Sequence, residues 1–518
     1  MAYQPGPAGA GGWRDLVEVQ PEKHSGEIPP NGKTLLVMHH LSDLHICDAQ
    51  SPIRPEFLDR WADPDSPIRD QVGTIGTYRP HSFLSPALLE SMVQSLNRIT
   101  HGPVTGSKVD AAIVTGDTTD NAQVNEVNWY LKILDGQLVV PDSGDLNQYE
   151  GVIDDNARHY DPKYWHPHGT PAGCEDDQAR SLYGFPVVPN VLNHARTPFQ
   201  SVGLNFPWFA VHGNHDALLQ GTVAPDDQTQ SEMVGDRRYE SLPSDMSLEQ
   251  TLALFGEVGP AGYPPAGDAR YVAVTADLER RAVERGEYAQ LHLDSTGLPK
   301  GHGFTQSNVD NQTMYYSAEV GHIKLIVIDS VNPHGGWQGS IDQQQFEWIE
   351  SEIKNSEKPV VLASHHPSSK LFNDYSPNER RICQSEFEDM LLKYPKVLLW
   401  LAGHEHRHHV NWIGPEKGRV GLWQIETASN IDWPQQSRVV ELSQHGPNHF
   451  SVALTVVDHA AGPTYGEAKT QLELAALGRI VSANVWQKRP ELGARHTIAW
   501  NEGNIEDRNV ILTIQRGD

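Results

Sequence analysis

Five short polar runs stand in one fixed order along the chain, and each follows a stretch that reads as a buried β-strand. Asp43-Leu44-His45 follows Leu35-Leu36-Val37-Met38, and Gly116-Asp117-Thr118-Thr119-Asp120 follows Ala111-Ala112-Ile113-Val114. Gly213-Asn214-His215-Asp216 follows Trp208-Phe209-Ala210-Val211. His365-His366-Pro367 follows Val360-Val361-Leu362-Ala363, and Gly403-His404-Glu405-His406 follows Val397-Leu398-Leu399-Trp400-Leu401-Ala402. Short continuous apolar stretches of this kind suit strands covered on both faces. Side chains just past the carboxyl ends of several such strands converge on one edge of a sheet, where open α/β folds place their sites. One run alone means little, because 26 His in 518 residues produce about one His-x-His pair by chance. Five in this order constrain the chain to an α/β fold with one composite polar site.

The residue types in those runs suit a paired transition-metal site. Imidazole and carboxylate bind Mn, Fe or Zn, and a bridging carboxylate lets two cations sit close together despite their repulsion. In type and order the runs resemble the calcineurin-like metallophosphoesterase superfamily, whose pattern is D-x-H, G-D-x-x-D/E, G-N-H-D/E, a single His and G-H-x-H. The spacing is longer than in compact members: 97 positions separate Asp117 from Asn214 and 151 separate Asn214 from His365. It is most similar to a long-insert bacterial branch near the cyclic-nucleotide phosphodiesterase-like members.

The resemblance implies a four-layer α-β-β-α sandwich of two mixed sheets with large loop insertions. It implies two divalent or trivalent transition-metal ions, one held by Asp43, His45 and His406 and the other by Asn214, His365 and His404, with Asp117 as the bridge. Between His365 and His366, relatives place the ligand two positions before the Pro, which selects His365. A hydroxide between the metals would attack phosphorus in line. His215 would sit beside the phosphate as the catalytic acid, with Asp216 placed to orient its ring. The implied activity is phosphoester hydrolysis of a small substrate, with diesters favoured over monoesters by the cyclic-nucleotide-like character of the blocks. A noncatalytic metal-binding scaffold is the alternative of another class, although scaffolds usually have degraded ligand sets.

Neighbouring residues have plainer readings. His39 and His40 alternate faces of a strand, so one is expected to pack and the other to lie near the site mouth. His408 and His409 are expected on a loop surface. Asp120 stands where purple acid phosphatases carry a Tyr ligand, which leaves it as a helix N-terminal carboxylate or an outer partner of a ligand. Asp329 points at the sheet edge or caps the turn after it. Cys47, Cys174 and Cys383 make no disulfide framework, and Cys47 reads as packing.

The formal charge of −27 repels phosphate backbones, which argues against a nonspecific nuclease and leaves small anionic substrates. No apolar run reaches the ~18 residues of a membrane span. The first thirty residues show no apolar h-region, so the chain as written reads as cytoplasmic, with an exported mature form left open.

Residues 1–33 read as an N-terminal arm and 34–518 as one metallophosphoesterase domain. Insertions interrupt it at about 136–205 and 217–311, and a β-rich C-terminal extension starts at about 438. A helix is expected from Ser85, as N-cap, to Ile99, and a charged one near 276–287. A hairpin should turn near Gly321, and an amphipathic helix should span 341–354. In the tail a helix near 467–477 should end at Gly478 as its cap, between strands at 452–457 and 510–514. Because the two insertions flank the third run, they are the expected determinants of substrate choice, with Trp165, His166, His168, Tyr271 and His302 as candidate contacts.

Overall fold

Strand β1 (Lys33–Leu41) is buried without a break from Leu35 to Leu41, so it needs a hydrogen-bonding neighbour on each edge and cover on each face. One edge pairs in parallel with β2 (Ala111–Thr115), which in turn pairs in parallel with β3 (Trp208–Val211). A second sheet runs in the order β4 (Tyr316–Val320), β5 (Ile323–Val327), β6 (Val360–Ala363), β7 (Val397–Ala402), β9 (Val420–Glu426), β8 (His409–Glu416). The hairpin at Gly321 forms as expected, between antiparallel β4 and β5. The computed structural model describes residues 2–69, 78–247, 249–250 and 269–516, so part of the second insertion lies outside the described residues.

The other edge of β1 is met by β10 (Gln436–Gly446), antiparallel, followed by β11 (His449–Asp458) and β12 (Val510–Gln515). The segment expected as a C-terminal extension therefore completes the first sheet. The reason is the backbone of β1, whose second edge would otherwise hold buried unpaired N–H and C=O groups.

Side-chain alternation along the strands assigns the layers. Leu325, Val327, Val361, Ala363, Leu399 and Leu401 share one apolar core with the first sheet. Ile326, Leu362 and Trp400 point the other way, onto α4 (Gln343–Asn355) and α5 (Gln384–Leu391). Helices α1 (Ser85–Leu96) and α2 (Val124–Leu134) pack on the first sheet through Leu89, Met92, Val93, Val127 and Tyr130. The result is the helix, sheet, sheet, helix sandwich expected, with Ile349 and Ile353 on the buried side of α4.

Local details differ from expectation where tertiary contacts compete with local signals. Ser85 lies inside α1, whose N-cap is Leu84, because its hydroxyl is taken by the backbone N–H of Cys47. The charged helix falls later, at α3 (Arg285–Asp294). Gly478 is not a cap: it lies mid-way along α6 (Gln471–Asn484), where a Cβ would stand 3.1 Å from Leu88 of α1. Close helix packing, not termination, is what the missing side chain permits there.

Asp63 offers a pH-dependent handle on stability. Its Oδ1 accepts from Trp486 Nε1 (2.7 Å) and Gln487 Nε2 (3.0 Å), yet burial raises its pKa to about 6. A carboxyl whose folded-state pKa lies above its unfolded value loses stability as pH rises from about 4 to about 6, and the deficit is constant above that. Asp63→Asn keeps the acceptor and removes the charge. Thermal melts should show the variant more stable than wild type at pH 8, by about 2 kcal/mol or less, with the gap closing by pH 4.

Candidate metal centre

The five runs leave β1, β2, β3, β6 and β7 at the same edge of the sandwich and hold one another by backbone bonds. Asp43 N donates to Gly116 O (3.1 Å), His45 N to Asp117 O (2.9 Å) and Gly403 N to His365 O (2.9 Å). The carboxylates tie further blocks together: Asp117 Oδ1 accepts from His215 N (2.9 Å), and Asp43 Oδ2 from His404 N (3.0 Å). Asp43, His45, Asp117, His404 and His406 all have φ between +44° and +71°, a left-handed backbone unusual for residues with side chains. Such strain persists only where the surroundings over-determine it, and it clusters at functional sites.

Four overlapping groups of potential ligand atoms result among the described residues, the atoms of each within 4.8 Å of one another: Asp43 with His45 and His406, Asp43 with Asp117 and His365, His365 with His366 and His404, and His45 with Asp120 and His215. His45 Nε2 faces His406 Nε2 at 3.2 Å, and His365 Nε2 faces His404 Nδ1 at 3.1 Å. Asp117 Oδ2 lies 3.1 Å from His365 Nε2 and 3.7 Å from His45 Nε2, between the two histidine pairs.

The outward nitrogens show which inner ones are bare. His45 Nδ1 donates to Asp120 Oδ1 (3.0 Å), His406 Nδ1 to Asp432 Oδ2 (2.7 Å) and His365 Nδ1 to Thr115 O (2.8 Å). Their Nε2 atoms are therefore the ones turned inward, toward each other and toward carboxylates, where each would give its lone pair to a cation held between them. Asn214 Oδ1 is buried with no hydrogen-bond partner while its Nδ2 donates to Gly221 O (3.0 Å), which leaves the amide oxygen as a ligand. The residues present fit two metal ions.

Electrostatics agree with that fit. Burial disfavours the charged form of His365 and His406, yet Asp117 and Asp43 overcome it and raise the two rings to about 9. Burial likewise opposes ionisation of Asp117, but His365 and His215 hold it well below the usual carboxylate range. In the metal-free chain protons thus do part of the work of cations.

His366 lies against the same histidines, its ring centroid 4.4 Å from that of His404 and its ligand atom in one group with those of His365 and His404. Its Nδ1 is shared with Ser330 Oγ (2.8 Å) and its Nε2 donates to Trp337 O (3.0 Å), so both ring nitrogens are committed to the protein. His215 is half-buried, with Nδ1 2.6 Å from the carbonyl of Asp120 and its ring edge-on to His45 at 4.5 Å. Asp216 does not orient that ring, contrary to expectation. It accepts from Thr118 Oγ1 (2.6 Å), Thr119 N (2.9 Å) and Gly213 N (2.8 Å), because three nearby donors outcompete one imidazole. Asp216 stitches the second and third runs together, and a backbone carbonyl sets the tautomer of His215.

Other expectations change as well. His39 and His40 are both fully buried, His39 bonding Ile99 O (3.0 Å) and His40 bridging Thr115 and Thr427, since β1 has cover on both faces. His408 is buried rather than on a surface loop, its ring meeting Gln436 and Ala428 N, and His409 begins β8. Asp120 is an outer partner of His45. Asp329 both accepts from Val331 N in the following turn and pairs with Arg285. Trp165, His166 and His302 are buried packing residues, the last stacked on Trp208 at 3.4 Å; His168 pairs with Asp155, and Tyr271 is exposed on a short strand. All three cysteines are free, with Cys47 buried.

Residues that the motifs do not name complete the centre. Asp432 binds His406 and is itself held by Arg79 Nε (3.2 Å) and Lys488 Nζ (3.1 Å). Arg79 Nη1 also reaches Asp120 (3.4 Å), and Arg54 pairs with the same carboxylate, so one guanidinium ties together the carboxylates behind His45 and His406. Gly221 is required by close approach, because a Cβ there would run into the His215 ring and the Asn214 amide. Asp432→Asn should weaken uptake of the ion bound through His406 by roughly 10–100-fold while the other ion is retained, measured as metal content at limiting metal.

Residues 188–408 match a family model described as calcineurin-like phosphoesterase. That segment, less than half of the chain, is similar to the calcineurin-like phosphoesterase domain. Asp43, His45 and Asp117 precede the matched segment, yet the fold brings them to the same edge as Asn214, His365, His404 and His406. A curated protein of Synechococcus sp. (strain WH7803), named probable cyclic nucleotide phosphodiesterase, is 30% identical over 117 residues, which is 22% of this chain and 42% of that protein. Among solved structures, a dimetal phosphatase from Danio rerio is similar at TM-score 0.34 and 10% identity, covering 82% of this chain and 97% of that one. A purple acid phosphatase from yellow lupin (Lupinus luteus) seeds is similar at TM-score 0.31 and 10% identity, covering 86% of this chain and 53% of that one. Among the described residues no helix is long and apolar enough to cross a membrane.

Proposed function

We propose that this chain is a dinuclear metal-dependent phosphoester hydrolase that acts on a small substrate, with diesters preferred. The observation that carries the reading is the pair of inward-facing nitrogen sets, His45 with His406 and His365 with His404, on either side of Asp117. Asp43, His45 and His406 would hold one ion, Asn214, His365 and His404 the other, and Asp117 both. Two such ions supply, when bound, a deprotonated water near neutral pH and neutralisation of phosphoryl charge.

The remaining work falls to the chain's own residues. Asp120, Asp432 and the Thr115 carbonyl keep His45, His406 and His365 in the tautomer that turns Nε2 inward. His215 donates Nδ1–H to the Asp120 carbonyl, which leaves Nε2 for the substrate; in the imidazolium form that nitrogen carries the proton passed to the leaving oxygen, and the ring is left neutral with its hydrogen on Nδ1. The diester preference rests on the name of the Synechococcus relative and on the cyclic-nucleotide-like character of the five runs.

Elemental analysis should find about two transition-metal ions per chain. The same preparation should turn over bis(p-nitrophenyl) phosphate faster than p-nitrophenyl phosphate. The reverse order would make it a phosphomonoesterase. Metal-replete protein inert across a broad phosphoester panel would leave a noncatalytic scaffold.

A further inference from the structure

Four large aromatic side chains are exposed among the described residues, and three of them, Trp337 (36%), Phe372 (40%) and Tyr375 (40%), lie on two adjoining loops beside the metal centre. The Trp337 ring lies nearly parallel to that of His404, at 14° with centroids 5.8 Å apart, and Phe372 meets Trp337 edge-on at 5.8 Å. The Lys370 ammonium sits 5.4 Å from the Trp337 centroid and is anchored by Glu405 (2.9 Å), the residue between His404 and His406.

These loops are held firmly. Gly339 N donates to Lys370 O (2.9 Å), Asn373 N to Gly339 O (3.0 Å) and Asn373 Nδ2 to Gly335 O (2.9 Å). His366, packed against His404, donates to the carbonyl of Trp337. A rigid aromatic surface left in water, in contact with a candidate metal ligand, is costly for a fold unless something apolar covers it. A planar ring gains dispersion and quadrupole contact from such a surface at little entropic cost.

We infer that Trp337 and Phe372, with Lys370 beside them, form a platform that stacks a planar aromatic group on the substrate's ester oxygen, so that the preferred substrates are phosphoesters of aryl alcohols or nucleosides. This inference rests on the hydrolase reading. The platform explains why Trp337 flanks His404 while its own backbone is tied to His366. It also places substrate choice on loops after β5 and β6 rather than on the two long insertions.

The test measures binding of phenylphosphonate and methylphosphonate, which cannot be hydrolysed as esters, to the metal-loaded protein. Wild type should bind the phenyl compound about tenfold more tightly. Trp337→Ala should erase that preference, Trp337→Phe should keep most of it, and metal content is measured on each. Should Trp337→Ala lose metal or fail to fold, Phe372→Ala, which leaves His404 covered, should still lower the preference. The adenosine 5′-methylenephosphonate arm separates the two sources: tighter binding than phenylphosphonate assigns a nucleobase, weaker binding a simple aryl group. Equal affinity for phenyl and methyl compounds in wild type, or a preference unchanged in the Phe372 variant and in metal-replete Trp337→Ala, overturns the platform alone. No binding of either phosphonate overturns the hydrolase reading together with it.

Discussion

Asp117→Asn is expected to cost the protein both ions at once. Its Oδ2 lies between the two nitrogen sets, and its Oδ1 holds the backbone N–H of His215. An asparagine can satisfy that N–H with its carbonyl but cannot offer a second anionic oxygen, so each site loses charge as well as a donor. The drop in metal affinity should exceed the roughly 10–100-fold that loss of an outer partner costs, and activity should fall with it. Elemental analysis after dialysis checks the first outcome and phosphodiester turnover the second. Retention of both ions would show that Asp117 does not bridge them.

His215→Ala should separate binding from chemistry. The ring is half-buried, edge-on to His45, and hydrogen-bonds through Nδ1 to a backbone carbonyl, while the His215 N–H that holds Asp117 belongs to the main chain and survives the substitution. Loss of a positioned proton donor lowers turnover by about 10²–10⁴-fold. Metal content should stay at the wild-type level, and KM should change far less than kcat. The loss should be smallest for esters with acidic leaving groups such as p-nitrophenol, which depart without a proton. An equal loss of metal would instead make His215 a ligand.

Asp216 illustrates where local reading fails. Adjacency to His215 suggested a carboxylate behind an imidazole, but a turn of 3₁₀ helix over Asn214–Asp216 sends the two side chains apart and delivers Asp216 to the second run. His40 and His408 carry the same lesson in another form. A histidine looks polar in the chain, yet both are fully buried, where burial pushes them well below their ordinary pKa and keeps them neutral. Nothing in the local pattern distinguishes them from His45, because the distinction lies in which strand edge or loop packs opposite.

The outer partners were invisible for a related reason. Asp432 stands 26 positions from His406 and Arg79 stands 41 from Asp120, in segments with no motif of their own. An acid or base that serves a ligand from the side needs only to be near it in space, so it leaves no spacing rule. Strand β10 escaped for topological reasons: its apolar alternation is ordinary, and only the unpaired edge of β1 says where it belongs.

Read as a linear string, the chain already specified strands and the polar runs that end them, since strand direction and short-range chemistry are local properties. Folding settled the rest. The carboxylates and cations behind His45 and His406 and the aromatic loops at the mouth depend on contacts between residues tens to hundreds of positions apart. Such contacts are selected by packing and by the need to satisfy every buried polar group, conditions that only the assembled molecule imposes.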